Sequence, residues 1–192
     1  MGKSIAGTQT EQNLLKAFAG ECQAKNRYEF FAEKARAEGY QQIAAIFETT
    51  ASQEQSHAKQ FFKFLEGGAV EIKVIYTTEN AGTTAENLKC SVNEEHNEWL
   101  TLYPKFAEIA KDEGFPAIAA IFKIIAKVEA EHEKRFTKLL NRIEDGTLFR
   151  REKPVRWECR NCGFVHDGTE PPQICPGCNH PRGYFEEMAE NY

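Results

Sequence analysis

The sequence has no excess of positive charge, no long apolar run and no glycine-rich phosphate loop, and each absence removes a class of function. With 24 lysines and arginines against 29 aspartates and glutamates, the net charge of -5 leaves no basic footprint, so nucleic acid is not an expected partner. No stretch approaches the length of a membrane span, and the polar start, Met1 to Gln12, carries no apolar core for a signal peptide. The expected location is the cytoplasm, away from the membrane. There is no Gly-x-Gly-x-x-Gly fingerprint, so a dinucleotide would have to be handled by another protein. Nor do the six cysteines form a disulfide framework. Cys22 and Cys90 stand alone, whereas Cys159, Cys162, Cys175 and Cys178 make two C-x-x-C pairs, a pattern that argues for metal ligation in a reducing compartment.

What is present is enough apolar side chain, 41% of 192 residues, to bury one large domain with a small companion. Four segments repeat apolar residues every three to four positions, at about 10–37, 41–65, 85–111 and 116–143. Their inner stripes also carry charge. Glu21 lies with Leu14, Phe18, Tyr28 and Phe31; Glu54 and His57 with Ile43, Phe47 and Phe61. Glu95 lies with Leu88, Trp99 and Phe106, with Glu98 one turn on; Glu129 and His132 lie with Ile118, Phe122 and Phe136. Glu66-Gly67-Gly68 is a helix stop, Pro116 suits a helix start, and Pro104 should free a carbonyl or kink the third segment. The stretch 69–84 breaks the pattern and reads as a long crossover, with a possible extended run at 70–76 and a helix start near Thr84.

A buried stripe with a carboxylate and an imidazole one turn apart must satisfy both, and a metal ion does so directly. Glu-x-x-His occurs twice, at Glu54 to His57 and at Glu129 to His132. The two lie in an internal repeat: 32–57 against 107–132, offset by 75 residues, gives 13 identities in 26 positions, and Tyr28 matches Tyr103. Two helical hairpins related by a pseudo-twofold axis would build an all-α bundle with a dinuclear site of two half-sites. At the same offset Glu21 falls on His96, not on an acid, so segment three offers Glu95 and Glu98 where segment one offers Glu21.

After Gly146 the texture changes. A charged link with Pro154 leads to a second module, and the expected domains are 1–149 and 155–192. So short a piece cannot hold a sufficient apolar core and should need its metal to fold, with Trp157, Phe164, Ile174, Tyr184 and Phe185 clustered around it. Two C-x-x-C turns twelve residues apart specify one tetrahedral thiolate site, which by spacing alone serves zinc or iron. Gly163, Pro176-Gly177 and Tyr184-Phe185 resemble rubredoxin, the one-iron electron carrier.

With these residues assembled, nearly the whole chain resembles the rubrerythrin family: a ferritin-like four-helix bundle with a di-iron site, then a rubredoxin-like β module. The resemblance implies three irons per chain. It makes Glu21 a terminal ligand of the first iron, Glu54 and Glu129 bridges, and Glu95 and His132 ligands of the second. Glu98 would bind the first iron when oxidised and His57 would replace it on reduction; Tyr28 and Tyr103 would hold ligand carboxylates. It further implies a hydrogen peroxide reductase in oxidative stress defence, with electrons relayed through the iron of Cys159, Cys162, Cys175 and Cys178. NAD(P)H would be the ultimate donor, through a separate flavoprotein reductase or rubredoxin, and the chain would act as a head-to-tail homodimer. Two other readings stand beside this one: a ferroxidase, and a non-catalytic metal protein with structural zinc. Manganese or mixed iron and zinc suits the carboxylate donors as well.

Overall fold

The computed structural model describes residues 3–75 and 81–191. Helix α1 (Gln9–Ala37) starts at Thr8, whose hydroxyl accepts from the Glu11 amide, and runs beside α2 (Gln41–Phe62). The second hairpin is built from α3 (Thr84–Asn97), a π-helical turn (Glu98–Leu102) and α4 (Tyr103–Asp112), packed along α5 (Pro116–Glu144). Both hairpin turns close alike. Gly39 and Gly114 take the left-handed conformation, at φ 86° and 82°. Tyr40 then donates to Ala35 O and Phe115 to Ala110 O, closing a Schellman turn that satisfies the last helical carbonyls.

The turns also cap each other's hairpin. Glu38 accepts from the Thr84 amide at 2.9 Å and hydroxyl at 2.6 Å, and Glu113 accepts from the Thr10 amide at 2.8 Å and hydroxyl at 2.6 Å. Two orphan donors at the start of α1 and α3 are thus satisfied by the opposite half, which fixes the approach of the hairpins.

Apolar burial is split into two matching clusters. One stacks Tyr28, Phe31, Phe47 and Phe136; the other stacks Tyr103, Phe106, Phe122 and Phe61, each member 75 residues from its counterpart. Each cluster takes three rings from one hairpin and a phenylalanine from the other, with Phe47–Phe136 centroids 5.2 Å apart and Phe61–Phe122 5.0 Å apart. Burial of these rings locks the hairpins together above and below the polar layer.

Several local expectations change. Segment two ends at Phe62 rather than 65, because Phe64 and Leu65 turn back onto Phe61 O and Phe62 O in a tightened last turn. The described part of 70–76 is irregular and forms no strand; Tyr76 lies outside the described residues. The cap of α3 is Thr83, in a reciprocal capping box with Glu86. Segment three is not one continuous α-helix: Pro104 has no N–H to offer Leu100, and the Tyr103 amide reaches back five residues to Glu98 O.

Past the bundle, strands β1 (Val155–Cys159), β2 (Val165–Gly168) and β3 (Phe185–Glu187) form an antiparallel sheet in the order β2-β1-β3. Trp157, Phe185, Cys159 and Cys175 are buried, with Phe164 and Tyr184 against them. Ile174, expected in this cluster, is 54% exposed, since it bridges Pro181 at the module's rim and points outward.

Candidate metal centres

Glu21 on α1, Glu54 and His57 on α2, Glu95 on α3, and Glu129 and His132 on α5 are all buried in the layer between the aromatic clusters. Their donor atoms form two groups, each within 4.8 Å: Glu21, Glu54, His57 and Glu129, and Glu54, Glu95, Glu129 and His132. Glu54 and Glu129 belong to both, which is the topology of two ions sharing two carboxylates. His57 Nδ1 lies 2.9 Å from Glu54, 3.0 Å from Glu129 and 3.7 Å from Glu21. His132 Nδ1 lies 3.0 Å from Glu54, 2.9 Å from Glu129 and 3.6 Å from Glu95.

Most of these atoms are close without hydrogen-bond geometry. Glu21 Oε2, Glu54 Oε1, Glu95 Oε2, both Glu129 oxygens and His132 Nδ1 are buried with no hydrogen-bond partner. Six orphaned lone-pair atoms converging on two points would be costly in a dry interior, and two cations remove that cost. The donor set therefore fits a dinuclear site.

The same crowding sets the proton affinities. Burial, then the neighbouring carboxylates, push Glu21 well above the usual carboxylate range, although His57 opposes this. Glu95 is raised to about 8 by burial against the pull of His132. Burial disfavours charge on His132, yet the close carboxylates of Glu129, Glu54 and Glu95 outweigh it and raise the ring to about 11; His57 shifts the same way. Glu54 also loses charge-stabilising solvent, but His132 and His57 overcome this and hold it down at about 2.

Glu98 stands apart. It opens the π turn, is only partly buried as a residue, and belongs to neither four-donor group. Its carboxyl end is raised well above the normal range by burial and by Glu21, Glu95, Glu129 and Glu54. The π turn also resolves the repeat. The buried positions of α1 and α3 correspond at an offset of 74: Thr10 with Thr84, Asn13 with Asn87, Leu14 with Leu88 and Glu21 with Glu95. Beyond the turn the offset is 75, Tyr28 with Tyr103. One extra residue is accommodated by the π geometry. Glu21 does have an acidic partner, Glu95, and the match to His96 came from carrying one offset through an insertion.

The tyrosines cross the axis. Tyr28 OH donates to Glu95 Oε1 at 2.5 Å and Tyr103 OH donates to Glu21, so each hairpin's tyrosine holds the other's carboxylate. Sequence reading missed Gln53 and Arg135: His132 Nε2 lies 3.1 Å from Gln53 Oε1, and Arg135 donates to the same oxygen. The available signal was the break in the repeat where Gln53 meets Val128. Outside the cluster, Glu133 accepts from Trp99 Nε1 and lies 3.2 Å from His96 Nδ1.

In the small module all four cysteines are free and within 4.8 Å of one another. Cys159 and Cys178 sulfurs are 3.7 Å apart and Cys162 and Cys175 3.6 Å. A tetrahedron with bonds of ~2.3 Å has edges of ~3.8 Å, so this spacing fits one shared ion and is far too long for a disulfide. The His180 amide, donating to Cys178 sulfur, lowers that thiol to about 6.

A four-helix layer that buries two histidine–carboxylate half-sites, with a four-thiolate module attached, is the build of a ferritin-like di-iron carboxylate protein that carries a rubredoxin-like domain. The comparisons agree. Residues 12–140 match the rubrerythrin family and residues 157–186 match its rubredoxin-like domain. Over 192 residues the chain is 54% identical to the rubrerythrin of Porphyromonas gingivalis, covering all of this chain and 96% of that one. It is 47% identical to the rubrerythrin of Nitratidesulfovibrio vulgaris over 99% of this chain and 100% of that one. A mixed-valence structure of nigerythrin superposes with a TM-score of 0.64 at 29% identity, over 97% of this chain and 92% of the other. The bacterioferritin BfrA of Mycobacterium tuberculosis, at 17% identity, TM-score 0.62, and 71% and 86% coverage, shares the fold. The chain belongs to the rubrerythrin family. Its cofactor is iron, in a di-iron site and a rubredoxin-like four-cysteine site.

Proposed function

We propose that this protein is a cytoplasmic non-haem di-iron peroxidase that reduces hydrogen peroxide to two waters with two electrons and two protons, as a defence against oxidative stress. Bound iron would supply Lewis acidity at both peroxide oxygens and single-electron steps matched to the relay through Cys159, Cys162, Cys175 and Cys178. The observation that carries the reading is the supply of one donor more than either half-site uses: His57 lies with Glu21 in the first group while Glu98 waits on the π turn. Glu21, Glu54, Glu129 and His57 would hold the first iron in the reduced state, with Glu98 in place of His57 in the oxidised state, and Glu54, Glu129, Glu95 and His132 would hold the second. Glu98, whose surroundings favour its protonated form, would hand a proton to the departing oxygen. Tyr28 and Tyr103 keep Glu95 and Glu21 from following it.

The domains in this reading are 1–149 and 155–192, supported by the last helix ending at Glu144 and the first strand opening at Val155. A head-to-tail homodimer would bring one chain's four-cysteine iron to the other's bundle. NAD(P)H would enter through a flavoprotein reductase or rubredoxin, as the chain has no fingerprint of its own for the nucleotide. Among the described residues no helix is long and apolar enough to cross a membrane.

The test is anaerobic stopped-flow absorption. The fully reduced, iron-loaded chain is mixed with one equivalent of hydrogen peroxide and the red thiolate-to-ferric band is followed. The band should return rapidly with peroxide and slowly with oxygen. Return that is faster with oxygen, with many equivalents of ferrous ion consumed, would favour a ferroxidase instead. A colourless cysteine site holding zinc would remove the relay.

A further inference from the structure

The two histidines of the repeat look equivalent in sequence but are held differently. His132 Nε2 faces Gln53 Oε1 at 3.1 Å, and Arg135 Nη2 lies 3.2 Å from that same atom and 2.7 Å from Thr50 Oγ1. A guanidinium only donates, so the Gln53 atom it shares with His132 has to be the amide oxygen rather than the nitrogen. An oxygen opposite His132 Nε2 in turn requires the proton on Nε2. The lone pair of the neutral ring is then left on Nδ1, the atom 2.9 Å from Glu129 and 3.0 Å from Glu54. Thr50 completes the chain by donating to Ile46 O at 2.8 Å, which leaves its oxygen to accept from Arg135.

None of this is repeated beside His57. At the 75-residue offset Gln53 becomes Val128, Arg135 becomes Gln60 and Thr50 becomes Ile125. Valine and isoleucine offer no acceptor, and among the described residues the polar contacts of the His57 ring run from Nδ1, to Glu21, Glu54 and Glu129. A ligand imidazole anchored through its outer nitrogen is fixed in tautomer and orientation; one without that anchor is free to leave.

We infer that Gln53, oriented by Arg135, is a positioning residue that fixes His132 as a permanent ligand, and that its replacement by Val128 makes the His57 half-site the adaptable one. The inference rests on the dinuclear reading of the carboxylate–histidine layer and adds to it the reason why the two halves behave differently. Gln53 meets His132 at its outer nitrogen and Arg135 meets Gln53, so the effect is on which nitrogen of His132 is available and how firmly the ring is held.

Two readouts on the full chain test it. In the zinc-loaded protein, proton NMR of nitrogen-15-labelled histidine should show one slowly exchanging ring Nε2–H, from His132, and none from His57. Gln53→Val should abolish that signal. Cobalt(II) titration followed by absorbance should show one bundle half-site weakened by about 10-fold to 100-fold in Gln53→Val. Gln53→Glu keeps an acceptor for Nε2–H and a partner for Arg135, and should restore affinity to within a few-fold of the parent; a generally damaged fold would not be rescued by it. Unchanged affinity and an unchanged ring proton in Gln53→Val would overturn the inference, as would Gln53→Glu binding as weakly as Gln53→Val. If the parent bundle itself binds fewer than two cobalt ions, the dinuclear reading fails and the inference with it. Two ions bound in the parent, with the variants unaffected, removes the inference alone.

Discussion

Gly183 meets the bundle so closely that a single methyl group should separate the two modules. It lies in the short 3-10 turn Arg182–Tyr184, which rests on the α1–α2 hairpin turn. A Cβ at Gly183 would fall 1.8 Å from Gly39 O and 2.9 Å from Gly39 C. Ordinary contact between such atoms is ~3.5 Å, so the module has to retreat by more than ~1 Å. The obstacle is backbone in a left-handed turn at φ 86°, not the end of a flexible side chain, so it does not give way. Retreat also loosens the flanking contacts: Arg182 Nη2 donating to Phe149 O at 2.6 Å, and Glu187 shared by Arg151 at 2.9 Å and Arg142 at 4.0 Å. Overpacking of this kind costs about 1–3 kcal/mol, a shift of about 5-fold to 150-fold from docked towards undocked. Gly183→Ala should therefore speed amide exchange at Gly39 and Arg182 and expose the link at 150–154 to protease. The thiolate-to-iron spectrum should remain, since the four cysteines are left in place. A variant with parental exchange rates and protease resistance would refute the reasoning.

Tyr28→Phe and Tyr103→Phe each leave a buried carboxylate oxygen without its donor, on Glu95 and Glu21 respectively. The expected cost in urea unfolding of the metal-free chain is about 1–3 kcal/mol apiece, similar for both, and losses under about 0.5 kcal/mol would contradict it. The metal-free chain should also become less stable as pH rises. Glu95 at about 8 and His132 at about 11 both sit above their unfolded values of ~4.3 and ~6.5. Each contribution is therefore full below the unfolded pKa and is lost as pH climbs through the folded one. Thermal melts from pH 5 to pH 9 should fall, and fall less when the site is filled; a metal-free melting temperature that rises across this range would refute the assignment. Cys162→Ser should remove one of four thiolates, abolish the red band and unfold the small module, while the far-ultraviolet helix signal of the bundle persists. Loss of the helix signal together with the band would show that the bundle depends on its attachment.

The sequence alone determined the elements and most of the candidate donors, because these are local or periodic facts. Glu54 and His57 share a helix face by spacing, Cys159 and Cys162 share a turn by spacing, and the repeat declares that the hairpins pair. A short module with four cysteines and few large apolar residues has little choice but to fold around an ion. Tertiary structure decided what spacing cannot encode. Which tyrosine holds which glutamate depends on how the hairpins cross, and the answer is the opposite hairpin in both cases. The π turn before Pro104 shifts the register by one residue, which aligns Glu21 with Glu95 and leaves Glu98 as the extra acid. The anchoring of His132 by Gln53 and Arg135 joins two helices whose residues are 79 and 82 positions apart in the chain. Hydrogen bonds over such separations exist only after the hairpins have packed, so the sequence shows that Gln53 meets Val128 in the repeat, but only the packed hairpins show that Gln53 reaches His132.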